Sequence, residues 1–161
     1  MEILIIVFVN IVDRLTKIWA TNNLMNGNDV VIVKNIFSFS YLENKGAAWG
    51  ILEGKVNFLL IMTVIIVIGI IFYLLKYRPK SKVMRIGLSL ILGGAMGNMY
   101  DRGIYKYVVD FVYFHYKDIY SFPTFNVADM SVVVGTILLV LSLLRDDKEW
   151  IIMNLKLVKK K

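Results

Sequence analysis

The sequence predicts an all-α integral membrane protein with four transmembrane helices. The chain has 161 residues and is 58% hydrophobic, with a mean hydropathy of +0.65, which is too apolar for an ordinary soluble domain. Four long apolar segments follow one another, and basic residues gather in only some of the connecting segments. A soluble all-α core is the alternative fold class, and four such segments in so short a chain argue against it.

The predicted helices lie at about residues 3–21, 56–75, 83–99 and 127–144. The second is free of charge over twenty residues, which is enough to cross a hydrocarbon core of about 30 Å. The first is interrupted by Asp13, Arg14 and Lys17. Because it has neither a basic segment before the apolar run nor a small-residue cleavage site after it, we expect it to remain attached as the first helix.

The distribution of basic residues predicts the orientation. The segment between the second and third helices has five basic residues and no acidic one: Lys76, Arg78, Lys80, Lys82 and Arg85. The tail at 145–161 has six basic and three acidic residues, and it either lies on the inner leaflet or is a disordered basic end. Since Lys and Arg accumulate on the cytoplasmic side, both termini are predicted to be cytoplasmic. This distribution explains the net charge of +7 without a nucleic-acid partner.

The outer connection at about 30–50 is predicted to contain a small β region. Aromatic and smaller residues alternate there: Phe37, Phe39 and Tyr41 fall between Ile36, Ser38 and Ser40. A period of two indicates a β-strand, and the apolar run 30–33 can pair with it through a turn at 34–35. Such an extracytoplasmic cradle would bury its aromatic face in lipid. An irregular loop is the alternative.

Polar residues inside the predicted spans are candidates for a site, because a charge in a bilayer needs a partner or a function. Asp13 and Lys17 are four residues apart, so they share a helix face and could simply neutralise each other. Gly94, Asn98 and Arg102 also recur every four residues and form one polar stripe. Asn98 could merely join two helices, and Arg102 could reach lipid headgroups.

Asp110 and Asp129 are the most informative residues, since both lie at the outer edge of apolar segments. Two carboxylates that meet there would share protons and could perform acid–base chemistry without a metal or cofactor. The chain has no cysteine, which excludes a thiolate nucleophile. Its single histidine, His115, is expected to be interfacial, and no HExxH motif is present. Asp110, Asp129 and Asn126 offer too few carboxylates for a dedicated metal site.

Five motifs then carry a family resemblance. In order, they are Asp13-Arg-Leu-Thr-Lys17, Glu43-Asn44-Lys45-Gly46-Ala47-Ala48-Trp49-Gly50, Gly93-Gly94-Ala-Met-Gly97-Asn98-Met-Tyr-Asp101-Arg102, Val108-Val109-Asp110-Phe111 and Phe125-Asn126-Val127-Ala128-Asp129. Together they resemble the bacterial lipoprotein signal peptidases (signal peptidase II), which are aspartic proteases of the cytoplasmic membrane. The resemblance covers about residues 10–144.

The resemblance implies an endopeptidase that removes the signal peptide from diacylglyceryl-modified prolipoproteins, cutting just before the lipidated cysteine at the outer membrane face. It implies that Asp110 and Asp129 are the catalytic pair. It also implies a set of substrate-binding or supporting residues: Asp13, Lys17, Asn44, Gly46, Gly94, Asn98, Arg102, Asn126 and Ala128. A short extracytoplasmic helix near 112–122 and inhibition by globomycin are further expectations. The expected partners are the prolipoprotein and membrane lipids, and the protein is expected to be a monomer.

Two other functions are compatible with intramembrane carboxylates. A small four-helix proton-coupled transporter would use them to bind and release protons, although such carriers usually place the essential acid deeper in a span. A non-catalytic lipid-binding subunit would instead use Arg102 and the loop lysines to hold headgroups.

Overall fold

The computed structural model describes residues 1–117 and 119–158, which are mostly helical with one small antiparallel sheet. The helices are α1 (Glu2–Leu24), α2 (Val56–Tyr77), α3 (Lys82–Ile104) and α4 (Val127–Val158), with a 3-10 turn at Ala48–Gly50. The strands are β1 (Val30–Val33), β2 (Phe37–Asn44), β3 (Val108–Tyr116) and β4 (Tyr120–Ser121). The last three residues of the predicted basic tail at 145–161 lie outside the described residues.

The third helix is the centre of the bundle, since α3 packs against each of the other three helices. Its N-terminus is capped by Ser81, whose hydroxyl accepts a hydrogen bond from the Met84 N–H at 3.2 Å. The contacts show that α1 runs parallel to α3, from the ion pair of Arg85 with Glu2 to the hydrogen bond of Asn98 with Lys17. Because α3 is central, its side chains can contact all three neighbouring helices.

Glycines allow α3 to approach its neighbours closely. A Cβ at Gly87 would lie 2.8 Å from the Gly135 carbonyl oxygen, and one at Gly135 would lie 2.6 Å from the Gly87 carbonyl oxygen. A Cβ at Gly93 would lie 3.0 Å from the Cβ of Val9 on α1. Close backbone contact of this kind is how small residues join helices when both surroundings are apolar.

The apolar residues of the helices point largely outward. On α1, Ile3 is 75% exposed and Leu4 74%, while α2 has a single buried residue, Val67. Among the described residues, two helical segments are long and apolar enough to cross a membrane, Val56–Tyr77 and Val127–Arg145. α1 and α3 carry more charge, and their buried residues include Asp13 and Lys17 on α1 and Asp101 on α3.

The sheet is built in the order β1-β2-β3-β4 and confirms the predicted β region. Val30 pairs with Phe39 across a turn at 34–36, and Asn44 pairs with Val108 at the other end of β2. The helix expected near 112–122 is wrong, because that segment forms most of β3 and all of β4. Its β-branched and aromatic residues suit a strand, and β2 supplies a partner along most of β3.

The sequence predicted that lipid would bury the aromatic face of β2, but in the structure this face packs against the protein. Phe37, Phe39 and Tyr41 pack against a buried cluster of the protein itself, formed by Ala20, Leu24, Val109, Phe111 and Val112. The Trp19 ring on α1 meets Phe39 edge-on at 5.4 Å. The sheet is therefore fastened to the end of α1 by its aromatic side, which fixes β3 relative to the helices.

The glycine contacts between α3 and α4 generate a test of packing. Gly87→Ala and Gly135→Ala should each lower the free energy of unfolding by about 1–3 kcal/mol, because the added methyl meets backbone. Thermal unfolding in detergent micelles measures the loss. Gly69→Ala on α2 is the matched control, since no atom lies within 4 Å of its Cβ position, and it should stabilise by roughly 0.5–1 kcal/mol. Equal effects at all three positions would contradict the close approach.

Candidate active site

A cavity of about 830 Å³ lies where α2, α3 and α4 meet the sheet. Asp110 and Asp129 both line it, together with Asn44, Asn98 and Arg102. Most of the remaining wall is apolar, with contributions from each of the three helices: Ile66, Ile91, Ala95, Met130, Val132, Val133 and Val134. The structure therefore gathers charged groups at one end of an otherwise apolar chamber.

Asp110 is positioned by β3, where it lies opposite Leu42 of β2. Its carboxylate accepts hydrogen bonds from Asn44 Nδ2 at 2.8 Å and from Asn126 Nδ2 at 2.6 Å. The side chain is only 1% exposed. Both oxygens thus have an amide donor, and the carboxylate is held in one place between the sheet and the start of α4.

Asp129 is positioned by the first turn of α4. Its backbone N–H donates to Asn126 Oδ1 at 2.9 Å, and its Oδ2 accepts from the Asn126 N–H at 3.2 Å. This reciprocal pair is a capping box with Asn126 as the N-cap. The other oxygen, Oδ1, accepts from Asn98 Nδ2 on α3 at 2.7 Å. One carboxylate therefore closes the end of its own helix and faces the cavity.

Asn126 connects the two carboxylates and is fully buried. Its side-chain NH₂ group reaches Asp110 Oδ1, and it also lies 3.2 Å from Asn98 Oδ1. The backbone before it explains this placement, because the Phe125 N–H donates to the Val112 carbonyl at 3.1 Å. The return donation, from the Val112 N–H to the Phe125 carbonyl, spans 2.9 Å. Phe125 thus adds one residue to the edge of β3 and delivers α4 beside Asp110.

The surroundings of Asp110 alter its acidity. Burial raises the pKa of this carboxyl from 3.8 to about 7, and the charge of Asp129 adds to the rise. The hydrogen bonds from Asn44 and Asn126 and the charge of Lys17 act in the opposite direction. A pKa near neutrality lets Asp110 take up and release a proton at physiological pH.

The loop after β2 holds Arg102 at the cavity. Asn44 Oδ1 accepts from the Gly46 N–H at 2.8 Å, and the Gly46 carbonyl accepts from an Arg102 terminal nitrogen at 2.9 Å. The Arg102 Nε atom is buried and has no hydrogen-bond partner among residues 1–117 and 119–158. A buried N–H without a partner is costly. Arg102 thus lines the cavity while one of its donors, Nε, is buried without a partner among the described residues.

Asp13 and Lys17 are not an isolated ion pair. Lys17 Nζ contacts Asp13 Oδ2 and Asp101 Oδ2, each at 2.9 Å. Asp13 Oδ1 also accepts from the buried Ala128 N–H at 2.9 Å, so it supplies a further cap to α4. A Cβ at Gly94 would overlap the Ala128 carbonyl oxygen. The bare backbone of Gly94 is what lets α4 lie this close to α3.

Asp101 is a site residue that the sequence analysis missed. It is 1% exposed, and beside Lys17 it contacts Arg14 at 3.7 Å and accepts from the Val109 N–H at 3.3 Å. It therefore ties α1 and α3 to the residue before Asp110. Its spacing of three from Asn98 places both on one helix face, which was a readable signal.

The single histidine lies away from the cavity. His115 stacks on Tyr113 with ring centroids 4.9 Å apart and does not line the cavity. Within residues 1–117 and 119–158, no group of three or more His, Asp or Glu side chains could hold a metal ion. The predicted catalytic and supporting residues do come together, as one network of hydrogen bonds and close contacts around the cavity.

Comparison with known proteins identifies relatives along nearly the whole chain. The family model described as signal peptidase (SPase) II matches residues 5–145. A lipoprotein signal peptidase of Clostridium novyi (strain NT) is 57% identical over 148 residues, covering 92% of this chain and 100% of the relative. One from Bacillus pumilus (strain SAFR-032) is 42% identical, covering 90% and 94%.

Two solved structures are similar to this protein in both fold and sequence. A bacterial membrane enzyme determined by the in meso method at 2.3 Å resolution has a TM-score of 0.81 at 36% identity, covering 92% of this chain and 90% of that one. A second, at 1.9 Å resolution, has a TM-score of 0.78 at 38% identity, covering 90% and 93%.

Asp110→Asn should remove a pH dependence of stability. Between about pH 4 and pH 7 the folded protein keeps a proton on Asp110 that the unfolded chain releases, since the pKa rises from 3.8 to about 7. The stabilisation is complete below the lower value and is lost as pH rises through the upper one, by up to about 4 kcal/mol. Unfolding free energies in detergent at pH 5 and pH 8 test this. An equal decline in both proteins would contradict the raised pKa.

Proposed function

The chain belongs to the signal peptidase II family and is a protease that removes signal peptides from lipoprotein precursors, and we propose that Asp110 and Asp129 together carry out the hydrolysis. The observation behind this proposal is that both carboxylates line one cavity and are bonded to the same residue, Asn126. Serine and cysteine mechanisms have no support, because the chain has no cysteine and His115 lies away from the cavity.

In the proposed reaction, one ionised carboxylate of the pair takes a proton from a water molecule as the water oxygen attacks the scissile carbonyl carbon. The other carboxyl, still protonated, donates to the carbonyl oxygen. A tetrahedral intermediate results, and its C–N bond breaks as a proton passes to the leaving amine. The near-neutral pKa of Asp110 suits a group that must be protonated in one step and ionised in another.

The neighbouring residues have proposed roles in binding. Asn44, Asn98 and Asn126 keep the carboxylates in place through the hydrogen bonds described above. Arg102 lines the cavity, where its guanidinium would donate to a backbone carbonyl of a bound peptide. Gly46 holds the other end of that guanidinium. Asp13, Lys17, Gly94 and Ala128 support the start of α4.

The apolar part of the cavity suits the substrate that we propose, a precursor cut just before a diacylglyceryl-modified cysteine. A signal segment and two acyl chains need apolar walls, and the scissile bond needs the polar end. A smaller cavity of about 390 Å³ adjoins the first and shares Asn44 and Trp49 with it. It includes Glu43 and Glu53 and gives the polar chain after the cysteine a way out.

We further propose that all four helices span the bacterial cytoplasmic membrane, with both termini inside and the sheet outside. The outward-facing apolar residues of α1 support this, since a soluble protein would bury them. Asp13, Lys17 and Asp101 point inward on α1 and α3, and with Arg14, which contacts Asp101, their charges sum to zero. Paired charges of this kind are compatible with a position in the bilayer. We also propose a monomer that is inhibited by globomycin.

Neither rival function has a specific observation in its favour. The chain is a protease, so a proton-coupled carrier and a non-catalytic lipid-binding subunit are no longer needed to explain the buried carboxylates.

Asp110→Asn and Asp129→Asn should each lower the cleavage rate of a diacylglyceryl-modified precursor peptide by about a thousandfold or more. Asparagine preserves shape and the hydrogen-bond acceptor but cannot exchange the proton. Cleavage by purified protein in lipid vesicles is the measurement, with and without globomycin. Asp29→Asn is the matched control, because Asp29 is exposed and bonds only to Ser40 among the residues described. Retained cleavage by both Asp110→Asn and Asp129→Asn would exclude the proposed mechanism.

The orientation has its own test, which the absence of cysteine makes clean. Lys80→Cys lies in the connection between α2 and α3, and Lys117→Cys lies beside the turn from β3 to β4. In intact cells, a membrane-impermeant maleimide should label Lys117→Cys and leave Lys80→Cys unlabelled until the cells are opened. The reverse pattern would invert the proposed topology.

A further inference from the structure

The buried ammonium group of Lys17 has three acceptors and no exposure to the cavity. Lys17 is 1% exposed and does not line the chamber. Besides the two carboxylates, Nζ donates to Asn98 Oδ1 at 3.0 Å. An ammonium has three N–H donors and cannot accept, so the three acceptors use all of its capacity. The atom of Asn98 that faces Lys17 must therefore be its oxygen.

Fixing the oxygen of an amide also fixes its nitrogen. With Oδ1 directed at Lys17, the NH₂ group of Asn98 points the other way and donates to Asp129 Oδ1 at 2.7 Å. Asn126 Nδ2 also approaches Asn98 Oδ1, at 3.2 Å, and reinforces this orientation. An amide turned by half a rotation would place its oxygen against the Asp129 carboxylate, where two acceptors repel.

We propose that Lys17 is a positioning residue for hydrolysis, which locks the side-chain orientation of Asn98 so that an N–H donor always faces Asp129. The inference rests on the proposed role of Asp129. Charged groups act on Lys17 from every element around it: Asp13 on α1, Asp101 on α3, Asp110 on β3 and Asp129 on α4. The test must therefore separate an action through Asn98 from the general effect of a positive charge.

A double-mutant cycle makes that separation. Replacing Lys17 alone would leave two carboxylates uncompensated, so the cycle is built in an Asp13→Asn background, which retains an acceptor for the Ala128 N–H. In that background, Lys17→Met and Asn98→Ala should each lower kcat for the lipidated peptide by about 10- to 100-fold, with KM within twofold. The variant that carries both changes should have a kcat less than about threefold below that of Asn98→Ala. If the fold-losses in kcat of the two single changes multiply in the double variant, the proposal is overturned.

The pH profile provides the second readout. Lys17→Met in this background should shift the acidic limb of the kcat profile to higher pH, because the carboxylate loses a donor. Lys17→Arg in the otherwise unchanged chain should keep the original limb even where it lowers Tm, since a guanidinium likewise cannot accept from Asn98. A shift as large as that of Lys17→Met would refute the orientation lock. Lys17→Arg also keeps the test decisive if the methionine variants do not fold.

Two comparisons identify which statement fails. Lys34→Met, in the exposed turn between β1 and β2, should leave the kinetics unchanged and controls for the loss of a lysine. If Asp129→Asn still cleaves, the proposed function fails. If Asp129→Asn is inactive and the cycle effects multiply, only the positioning role of Lys17 fails.

Discussion

The hydrogen bonds of Asn126 hold the rest of the site together. This one buried side chain caps α4 through its oxygen and bonds Asp110 of β3 through its nitrogen. It can do both because Phe125 pairs with the edge of β3 and ends the sheet where the helix begins. A shift of one residue at this junction would turn Asn126 away and separate the two carboxylates. The spacing of the pair is thus set by backbone pairing as much as by the side chains.

The charges inside the bundle form one connected group. Lys17 forms ion pairs with two carboxylates, those of Asp13 and Asp101. Arg14 lies over the rings of Tyr100 and Tyr105 and also contacts Asp101. A buried ion pair seldom adds stability beyond what an apolar replacement would give, but removing one partner is strongly destabilising. The group therefore specifies how α1 and α3 are aligned more than it strengthens their association.

Sequence reasoning predicted the four long helices and the hairpin of β1 and β2, because each had a local signal, whereas Asn44, Gly46, Asn126 and Ala128 were named through the family resemblance. Charge-free length marked α2, alternation marked β2, and four-residue spacing joined Gly94, Asn98 and Arg102. It failed where the deciding partner was distant. β3 became a strand because β2 lies beside it, and the role of Asp101 depends on Lys17 from another helix. The expected helix near 112–122 came from the resemblance alone, although the β-branched and aromatic residues of that segment suit a strand.

The helices around the large cavity differ in how closely they are packed. On one side α3 and α4 touch backbone to backbone at Gly87, Gly94 and Gly135, so that side has no room to yield. On the other side α2 contributes Thr63 and Ile66 from a helix with a single buried residue. We therefore expect bulk added to a bound ligand to be accommodated on the α2 side of the cavity. The closely packed side carries Asp129 at the start of α4, and the pairing of Phe125 with β3 holds Asp110 beside it, so we expect the two carboxylates to keep their spacing when ligands of different width bind.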